Sequence, residues 1–400
     1  MVNYYVYKTT IFFISLYKSI EMLWIRLFPN FYEGMLCDVL KSGGIDINGD
    51  KPWDIQVKNK EFYPRVVNQG NMGFGEGYMD GLWDAEDIEE ISCRFFKNGI
   101  YLWYLNPWNR FLDFMEGGFF NLQSQQHSWE VGEKHYDTGN DLFESFLDPS
   151  MNYSCGYWKS AKNLAEAQIA KMELIAQKLM LKPGMKVLDI GCGWGGLCYH
   201  LAKNYGVSVV GITISKEQAA LAQQRCEGFP VEIKLVDYRD LKEQFDRIVS
   251  VGMFEHVGHK NYREYFETAH RCLKDDGLFL LQAIGTNHKE LPCTEPWYHR
   301  YIFPNGMFPR AKHLTNCTEG LFIIEDLHNF GNDYTKTLQA WIVNFKKNWP
   351  TIEGKYGPRF YRMWNYYLQF AAGVFKARRI QLWQVVYSKN GVQDSYYAPR

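Results

Sequence analysis

The most informative segment of the sequence reads Val187-Leu188-Asp189-Ile190-Gly191-Cys192-Gly193-Trp194-Gly195-Gly196. An apolar strand pattern ends here in a glycine-rich turn, and such glycines let a ligand approach bare backbone at the carboxyl end of a strand. The segment also satisfies G-x-G-x-x-G, so a dinucleotide site is one interpretation. That interpretation needs an acid about twenty residues later. The corresponding run, Gly211-Ile212-Thr213-Ile214-Ser215, contains no Asp or Glu, which disfavours NAD.

Two acidic positions favour a different nucleotide cofactor. Asp189 precedes the turn, as in methyltransferases of the Rossmann-like class, and the third strand pattern ends in Asp237-Tyr238-Arg239-Asp240, which suits an adenine edge. S-adenosylmethionine has no pyrophosphate, so it would need the glycine loop for its methionyl part and not as a helix-dipole anion site. The sequence therefore predicts S-adenosylmethionine. The alternative is a glycine-rich turn that serves only tight strand-to-helix packing.

Thr213 and Gln218 are further candidates for the site. Thr213 stands at a strand tip, where it is expected to face the crevice. Ser215 and Gln218 have the spacing of a helix capping box, so Gln218 has a purely structural interpretation as well.

The pattern around the glycine loop alternates between β-rich runs and helical stretches at 216–225 and 260–273. Such alternation predicts an α/β fold, a mostly parallel, doubly wound sheet of Rossmann-like type. Seven strands are predicted, at 186–190, 207–213, 231–236, 247–251, 278–284, 321–325 and 382–387.

A helix is predicted in front of the first of these strands. Asn163 and Glu166 form a capping box, and Lys182-Pro183-Gly184 ends the helical pattern. The spacing predicts a core-facing stripe made of Ala165, Ile169, Met172, Ile175 and Leu179.

The first part of the chain has a different pattern. Short strand-like runs at 45–47, 55–57 and 66–67, with a glycine-rich turn at 70–77, predict a small α+β unit with loops. A polar, aperiodic segment follows. We therefore expect an N-terminal α+β domain at 1–115, a linker at 116–129 and an α/β domain at 130–400.

Composition excludes several classes of protein. The chain has 400 residues and a formal net charge of −1, so it lacks the basic excess of a dedicated nucleic-acid binder. Its nine cysteines are scattered without a Cys-x-x-Cys pair, which predicts a reducing compartment and no structural metal.

The aromatic segment Thr9–Phe28 is the only stretch that suggests a membrane. Lys18, Glu21 and Arg26 interrupt it, so it is not expected to span a bilayer, and the preceding residues make a poor secretory signal. Two interpretations remain for this segment: an amphipathic helix docked on its own domain, or contact with a membrane surface.

Several longer blocks resemble the cyclopropane-fatty-acid synthase family, whose S-adenosylmethionine-dependent members modify cis double bonds in acyl chains of phospholipids or mycolic acids. The additional N-terminal domain is similar to the phospholipid-acting branch. The blocks that carry the resemblance are Gly77–Trp83, His135–Phe143, Met151–Trp158, Gly252–Gly258, Tyr301–Gly306 and Ile380–Gln384.

The resemblance implies that the domain at 1–115 interacts with lipid and that the domain at 130–400 is the catalytic methyltransferase domain. It also implies two sets of site residues, a homodimer, and a cytoplasmic enzyme held peripherally at the inner face of the membrane. The implied cofactor contacts are Tyr153, Ser154, Asp189, Gly191, Cys192, Gly193, Gly195, Thr213, Gln218, Asp237, Tyr238 and Arg239. A bound bicarbonate, which serves as the base, would lie among Cys155, Gly252, Glu255, Gln282, Ile284 and Tyr334.

The sequence departs from the family pattern at two places. Gln282 stands where relatives commonly have His; its amide can donate a hydrogen bond but cannot titrate near pH 7. Phe370-Ala371-Ala372-Gly373 stands where many relatives have a Cys, so no thiol at that point is essential for this protein.

The implied activity is transfer of a methylene from S-adenosylmethionine to the cis double bond of an unsaturated phospholipid, through an acyl carbocation that bicarbonate deprotonates. Aromatic faces would stabilise the cation and exclude water. The alternatives are a fatty-acyl methyltransferase with a methyl-branched or hydroxylated product, a small-molecule or protein N- or O-methyltransferase, and a silent lipid-binding protein. The aromatic candidates are Tyr157, Trp158, Phe254 and Phe303, and the candidates for headgroup contact are Lys346, Lys347, Lys376, Arg378 and Arg379.

Overall fold

The computed structural model describes residues 2–104, 139–288, 295–304 and 306–400. The predicted linker at 116–129 lies outside these residues. Two compact units emerge from the chain. The first comprises Met1–Asn121, Thr294–Ile302 and Glu353–Arg379, and the second comprises Leu122–Cys293, Phe303–Ile352 and Ile380–Arg400. The first unit thus adds two segments from later in the chain to its N-terminal part.

The first unit is mostly helical. Its two short strands pair antiparallel, and the rest of the unit packs around buried aromatic side chains. Its elements are α1 (Val2–Leu27), α2 (Pro29–Ser42), β1 (Gln56–Val57), α3 (Phe62–Gln69), α4 (Asn71–Met79), β2 (Trp83–Asp84), α5 (Ile88–Lys97), α6 (Tyr101–Tyr104) and α12 (Pro296–Tyr301).

Two local predictions for the first unit are wrong. The strand predicted at 66–67 lies in α3, and the turn predicted at 70–77 is the helix α4. The glycines of α4 permit close packing: a Cβ built on Gly75 would lie 2.5 Å from the indole of Trp297. Helix packing at short range therefore explains these glycines better than backbone freedom does.

The second unit contains the seven-stranded sheet that the sequence predicts. Strands in the order β5-β4-β3-β6-β7 are parallel, and β9 runs antiparallel between β7 and the edge strand β8. The strands are β3 (Lys186–Ile190), β4 (Ser208–Thr213), β5 (Val231–Leu235), β6 (Phe245–Val251), β7 (Leu273–Gly285), β8 (Ile323–Asn329) and β9 (Gln381–Ser388).

Helices cover both faces of this sheet and enclose two apolar clusters. The helices predicted at 216–225 and 260–273 are present. The helices are α7 (Asn140–Phe146), α8 (Leu164–Lys178), α9 (Gly196–Tyr205), α10 (Lys216–Arg225), α11 (Tyr262–Cys272), α13 (Ala311–Asn316) and α14 (Asp333–Lys376). Helix α14 is broken at Gly357, and its residues from Glu353 onward belong to the first unit.

Helix α8 begins as predicted, and three of the five residues of the predicted stripe, Met172, Ile175 and Leu179, are buried. Asn163 caps it by accepting a hydrogen bond from the backbone N–H of Glu166. Ile169, however, is 51% exposed. The buried face is wider than the predicted stripe, because it also includes polar side chains that a hydrophobic pattern does not count. Its members are Leu164, Ala167, Gln168, Lys171, Met172, Leu174, Ile175, Ala176 and Lys178.

Candidate functional site

A cavity of about 190 Å³ opens at the carboxyl ends of four adjacent strands, β5, β4, β3 and β6. This is the edge at which open α/β sheets bind ligands. Eleven of the twelve predicted cofactor contacts line it; the twelfth, Gly195, caps α9 instead. Of the residues implied for bicarbonate, Gly252 lines the cavity.

The glycine loop presents bare backbone to the cavity. Gly191 and Gly193 have φ angles of 87° and 53°, which disfavour larger residues. A Cβ on Gly191 would approach the side chain of Met253 to 2.8 Å, whereas no atom lies within 4 Å of a Cβ on Gly193. The open face of Gly193 therefore leaves room for a ligand against the loop.

Thr213 and Gln218 face the cavity together. Ser215 caps α10 by accepting the backbone N–H of Gln218, but the Gln218 side chain does not complete the capping box. Its Oε1 instead accepts a hydrogen bond of 3.0 Å from the hydroxyl of Thr213. The Gln218 amide is thus held at the cavity wall.

The wall beyond β5 carries a compact charged group. Arg239 Nη1 lies 3.1 Å from Asp237 Oδ2, and Arg239 Nε lies 3.3 Å from a carboxylate oxygen of Glu264. The guanidinium also lies 4.8 Å from the ring centroid of Tyr238. Burial raises the pKa of Asp237, while the Arg239 charge opposes that rise. This group presents a carboxylate and an aromatic face, which suit a nucleoside.

An aromatic wall closes the side of the cavity at Tyr153. The Tyr153 ring lies 5.2 Å from that of Phe143, 5.4 Å from that of Trp341 and 6.4 Å from that of Phe303. Ser154 lies next to this wall, and its hydroxyl accepts a hydrogen bond from Lys171.

Several cavity residues were missed by the sequence analysis, and Lys171 has the most distinctive chemistry among them. Its ammonium group is buried on α8 within the cavity wall. His256 also lines the cavity, and desolvation lowers its pKa to about 4. The other missed residues are Met151, Asn152, Gly196, Leu197, Ile212, Val236, Val251, Met253, Val257 and Pro304.

Glu255 forms a second cluster with the end of β7. Its Oε1 accepts the backbone N–H of Ile284 at 2.6 Å, while its buried Oε2 has no partner. Burial raises the pKa of Glu255 to about 7. A carboxyl group with this pKa can hold a proton near neutral pH, as a general acid or base must.

Gln282 joins this cluster through its backbone and not through contact with Glu255. Its carbonyl accepts the N–H of Gly252 at 2.9 Å. Its side-chain Oε1 accepts a hydrogen bond of 2.9 Å from Gln384 Nε2 on the neighbouring strand β9. Both amides are buried, so this pair fixes the orientation of Gln282.

Cys155 and Tyr334 lie at the start of α14. The Cys155 thiol contacts the carbonyl of Gly156 at 3.2 Å and the hydroxyl of Thr337 at 3.8 Å. Burial raises the pKa of Cys155 well above its usual value, which keeps it a thiol. Tyr334 is 8% exposed, and its ring lies 6.4 Å from that of Trp341.

Three of the four aromatic residues predicted to face an acyl cation pack elsewhere. Phe254 is fully buried and stacks on Tyr262 at 4.2 Å within the apolar core. Tyr157 packs on Phe330, and Trp158 donates its indole N–H to Thr337. The ring of Phe303, in contrast, packs beside the cavity on Tyr153 and His256, which line it.

The fold and the site define the class of protein. A sheet with this order and a glycine-loop cavity of this composition is an α/β methyltransferase domain of the S-adenosylmethionine-dependent type. Two solved structures share it. The cyclopropane synthase MmaA2 from Mycobacterium tuberculosis matches with a TM-score of 0.63 and 32% identity, covering 68% of this chain and 100% of that one. The mycolic acid cyclopropane synthase CmaA1, complexed with SAH and CTAB, matches with a TM-score of 0.62 and 34% identity, covering 65% of this chain and 98% of that one.

Sequence comparison identifies the family. The model of the mycolic acid cyclopropane synthetase family matches residues 123–385. The cyclopropane-fatty-acyl-phospholipid synthase of Escherichia coli strain K12 is 51% identical over 363 residues, which cover 91% of this chain and 94% of that protein. The chain belongs to the mycolic acid cyclopropane synthetase family, and the family resemblance stated above is confirmed.

Proposed function

We propose that the protein is a cyclopropane-fatty-acyl-phospholipid synthase, which adds a methylene to the cis double bond of unsaturated phospholipid acyl chains. The observation that carries this proposal is the 51% identity to the Escherichia coli synthase, which extends over both units of the chain. If the protein were a small-molecule methyltransferase, the first unit would have no role, and its similarity to the Escherichia coli synthase would be unexplained.

The described residues fit S-adenosylmethionine. Gly191 and Gly193 would receive the methionyl part along bare backbone, while Asp237 and Tyr238 would receive the adenosine. When bound, this cofactor supplies an electrophilic methyl group on a sulfonium. An alkene is a poor nucleophile, so the residues of the cavity contribute mainly by fixing the reacting groups in line.

Glu255 suits the second task, which is to hold the bicarbonate that removes the proton. Its free Oε2 is a buried acceptor without a partner in the described structure. Bicarbonate would be repelled by an ionised carboxylate, but Glu255, with a pKa of about 7, can hold the proton that such a contact needs. The orphaned oxygen therefore supports a bicarbonate between Glu255 and the residues implied by the family resemblance.

Cys155 would act in this site without covalent chemistry. Its thiol is buried and its pKa is raised, so it supplies little thiolate. Cys155, Ile284, Gln282, Gly252 and Tyr334 would instead shape and hydrogen-bond the anion. The backbone N–H of Ile284 already donates to Glu255, so Ile284 would act on the anion indirectly, by holding the Glu255 carboxyl group in place.

The exposed face of α1 supports docking on a lipid surface. Ile25 is buried against the unit, and Lys18 Nζ donates to the carbonyl of Asn68 on α3. The helix therefore docks on its own unit, as one interpretation predicts, while its other face is apolar and open to solvent. Nine apolar side chains, each at least 47% exposed, form this face. Seven lie on α1 and two follow it: Phe12, Phe13, Leu16, Ile20, Leu23, Trp24 and Leu27, then Phe28 and Phe31.

Surface contact is the mode of membrane binding that this face supports. Among the described residues, none of the helices has the length and apolarity needed to cross a bilayer. Amphipathic helices with large aromatic side chains insert at the headgroup boundary. The free thiols of the eight described cysteines support the cytoplasmic face of the membrane as the location.

Two of the basic residues considered for headgroup contact have internal partners. Lys376 pairs with Glu89 and Glu90, and Arg379 donates to the carbonyl of Phe96. The apolar face of α1, and not these cations, is thus the main support for lipid docking.

A homodimer is part of the proposal. The edge strand β8 exposes Ile323, Ile324 and Leu327, and an apolar sheet edge is a surface that a second copy can cover. Light scattering after size exclusion tests this point, and a monomer at working concentration would contradict it.

The activity is tested with vesicles of monounsaturated phospholipid, bicarbonate and S-adenosylmethionine that carries a CD3 methyl group. Mass spectrometry of the fatty acids should show the gain of one CD2 unit, because ring closure removes one deuterium. Retention of all three deuteriums would instead indicate a methyl-branched product, the alternative that Gln282 in place of His favours. If the fatty acids gain no label, the proposal is contradicted, and a silent lipid-binding protein becomes the favoured interpretation.

A further inference from the structure

Lys171 is a buried cation inside the proposed cofactor cavity. It is 1% exposed, and its Nζ donates to Asn152 Oδ1 at 3.0 Å and to Ser154 Oγ at 2.8 Å. An ammonium group carries three N–H donors. Two of these N–H groups donate to uncharged oxygens. The third N–H can donate to a further partner, and the positive charge is not compensated by either oxygen.

Nothing in the described structure neutralises this charge by direct contact. Asp189 shares the cavity, but its Oδ2 accepts the thiol of Cys198 at 3.3 Å. Asp148 accepts from the backbone N–H groups of Ser150 and Asn152. Burial lowers the pKa of Lys171 to about 8, which leaves the ammonium mostly charged at pH 7. A buried charge without an ion pair costs free energy, which an anionic ligand would offset.

The other cationic candidates of the cavity wall are already accounted for. Arg239 is held between Asp237 and Glu264. His256, with its lowered pKa, is a neutral imidazole at pH 7. Lys171 is therefore the cation of the described wall that remains available to a ligand carboxylate.

We infer that Lys171 recognises the carboxylate at the amino-acid end of the cofactor, with Asn152 and Ser154 holding its ammonium in place. This inference rests on the proposed S-adenosylmethionine site and adds to it a residue that selects the ligand by charge. The carboxylate would meet the free N–H of Lys171 beside the glycine loop, where Gly193 leaves space.

Lys178 provides a matched control. It lies two turns further along α8, is fully buried, and burial likewise lowers its pKa to about 8. Its Nζ, however, lies 2.9 Å from Asp326 Oδ2, and it does not line the cavity. Replacement of Lys178 thus tests what the loss of a buried lysine does to α8 without changing the cavity.

The experiment measures the affinity of two ligands by calorimetry for the wild-type protein, Lys171→Met, Lys171→Gln and Lys178→Met. One ligand is S-adenosylhomocysteine, and the other is its decarboxylated analogue, which keeps the amine and loses only the carboxylate. In both Lys171 variants we expect the affinity for S-adenosylhomocysteine to fall about tenfold or more, because a charge-assisted hydrogen bond is lost. The analogue should change by less than about twofold, and Lys178→Met should leave the ratio of the two affinities unchanged.

The inference is overturned if both ligands weaken equally in the Lys171 variants, since that pattern indicates a structural role, or if neither weakens. Lys171→Gln can still hydrogen-bond to Asn152 and Ser154, so it gives the answer if Lys171→Met does not fold. Failure of the proposed S-adenosylmethionine site, on which the inference rests, is distinguishable, because the wild-type protein would then bind neither ligand.

Discussion

At the scale of single residues, Glu255 combines two features that rarely occur together in a folded protein. One carboxylate oxygen is fixed by the backbone N–H of Ile284, and the other is buried without a partner. A buried polar atom without a hydrogen bond costs free energy and needs an explanation. The proposed proton transfer provides that explanation, and it can be tested apart from folding.

Glu255→Gln should abolish product formation while cofactor binding stays within about twofold of wild type, because the glutamine keeps the shape but cannot take up a proton. Product is measured by mass spectrometry of the fatty acids, and binding by calorimetry with S-adenosylhomocysteine. Glu267→Gln, at an exposed position of α11, is the control and should behave as wild type. Product formation by Glu255→Gln at the wild-type rate would contradict the role of Glu255.

Glu255 should also make the stability of the protein depend on pH. Between about pH 4.5 and 7 the folded protein holds a proton that the unfolded chain has lost, so this contribution to the free energy of unfolding decreases as pH rises. Glu255→Gln removes the effect. Relative to wild type, the variant should gain up to about 3 kcal/mol between pH 5 and 8, measured by urea unfolding. A difference that does not change with pH would contradict the raised pKa.

Gln282→His should preserve or increase product formation and leave cofactor affinity unchanged. An imidazole nitrogen can accept the hydrogen bond that Gln384 now donates to Gln282. The pH profile of kcat should then gain an ionisation near about pH 6.5, which an amide cannot produce. Loss of affinity for S-adenosylhomocysteine would place Gln282 outside the anion site.

The sequence was informative about the cofactor wall because strand ends and glycine turns have recognisable patterns. Lys171 was missed because a lysine is ordinarily assigned to solvent. One signal could have indicated it: Leu164, Gln168, Lys171, Ile175 and Lys178 follow each other at helical spacing, so α8 has a second stripe beside the apolar one. The hydrogen bonds that hold these polar side chains come from distant loops, which periodicity does not show.

At the scale of elements, the sheet was predictable and the small helices were not. All seven strands follow from apolar runs between turn signals, although β7 begins five residues earlier than predicted, at Leu273. In the first unit, Val66 and Val67 have β propensity, and Gly70–Gly77 resembles a turn. Tertiary packing overrides both local preferences, because α3 and α4 pack against each other and α4 packs against Trp297.

The glycines of α4 lead to a stability prediction. Gly75→Ala should destabilise the protein by about 1–3 kcal/mol, because the added methyl group would lie 2.5 Å from the Trp297 ring. Gly354→Ala is the matched control in a helix: no atom lies within 4 Å of its Cβ, so it should stabilise α14 by up to about 1 kcal/mol. Both values come from urea unfolding. Equal effects of the two substitutions would contradict the packing argument.

At the scale of the whole molecule, the apolar face of α1 sets the way in which the protein meets its substrate. Phe12, Leu16 and Trp24 are 62%, 47% and 54% exposed. Replacing all three with Ser should weaken binding to vesicles of monounsaturated phospholipid by at least about 100-fold, since each inserted side chain contributes more than about 1 kcal/mol. Vesicle sedimentation measures the binding, and affinity for S-adenosylhomocysteine should not change.

The control for this prediction replaces three apolar side chains of similar exposure in the second unit. Ile169, Met180 and Val343 are 51%, 46% and 65% exposed. Their replacement with Ser should leave vesicle binding within about twofold of wild type. Equal loss in the two triple variants would indicate that general surface hydrophobicity, and not α1, determines binding.

The strand order also determines how long strand β8 remains unpaired while the chain is being translated. The edge strand β8 has one neighbour in the sheet, β9, whose first residue, Gln381, follows Asn329 by 52 positions. During synthesis β8 therefore leaves the ribosome well before its partner exists, with Ile323, Ile324 and Leu327 unprotected. At about 5–20 residues per second, the nascent chain presents this unpaired edge for about 3–10 seconds. Chaperone capture during translation should concentrate on this interval.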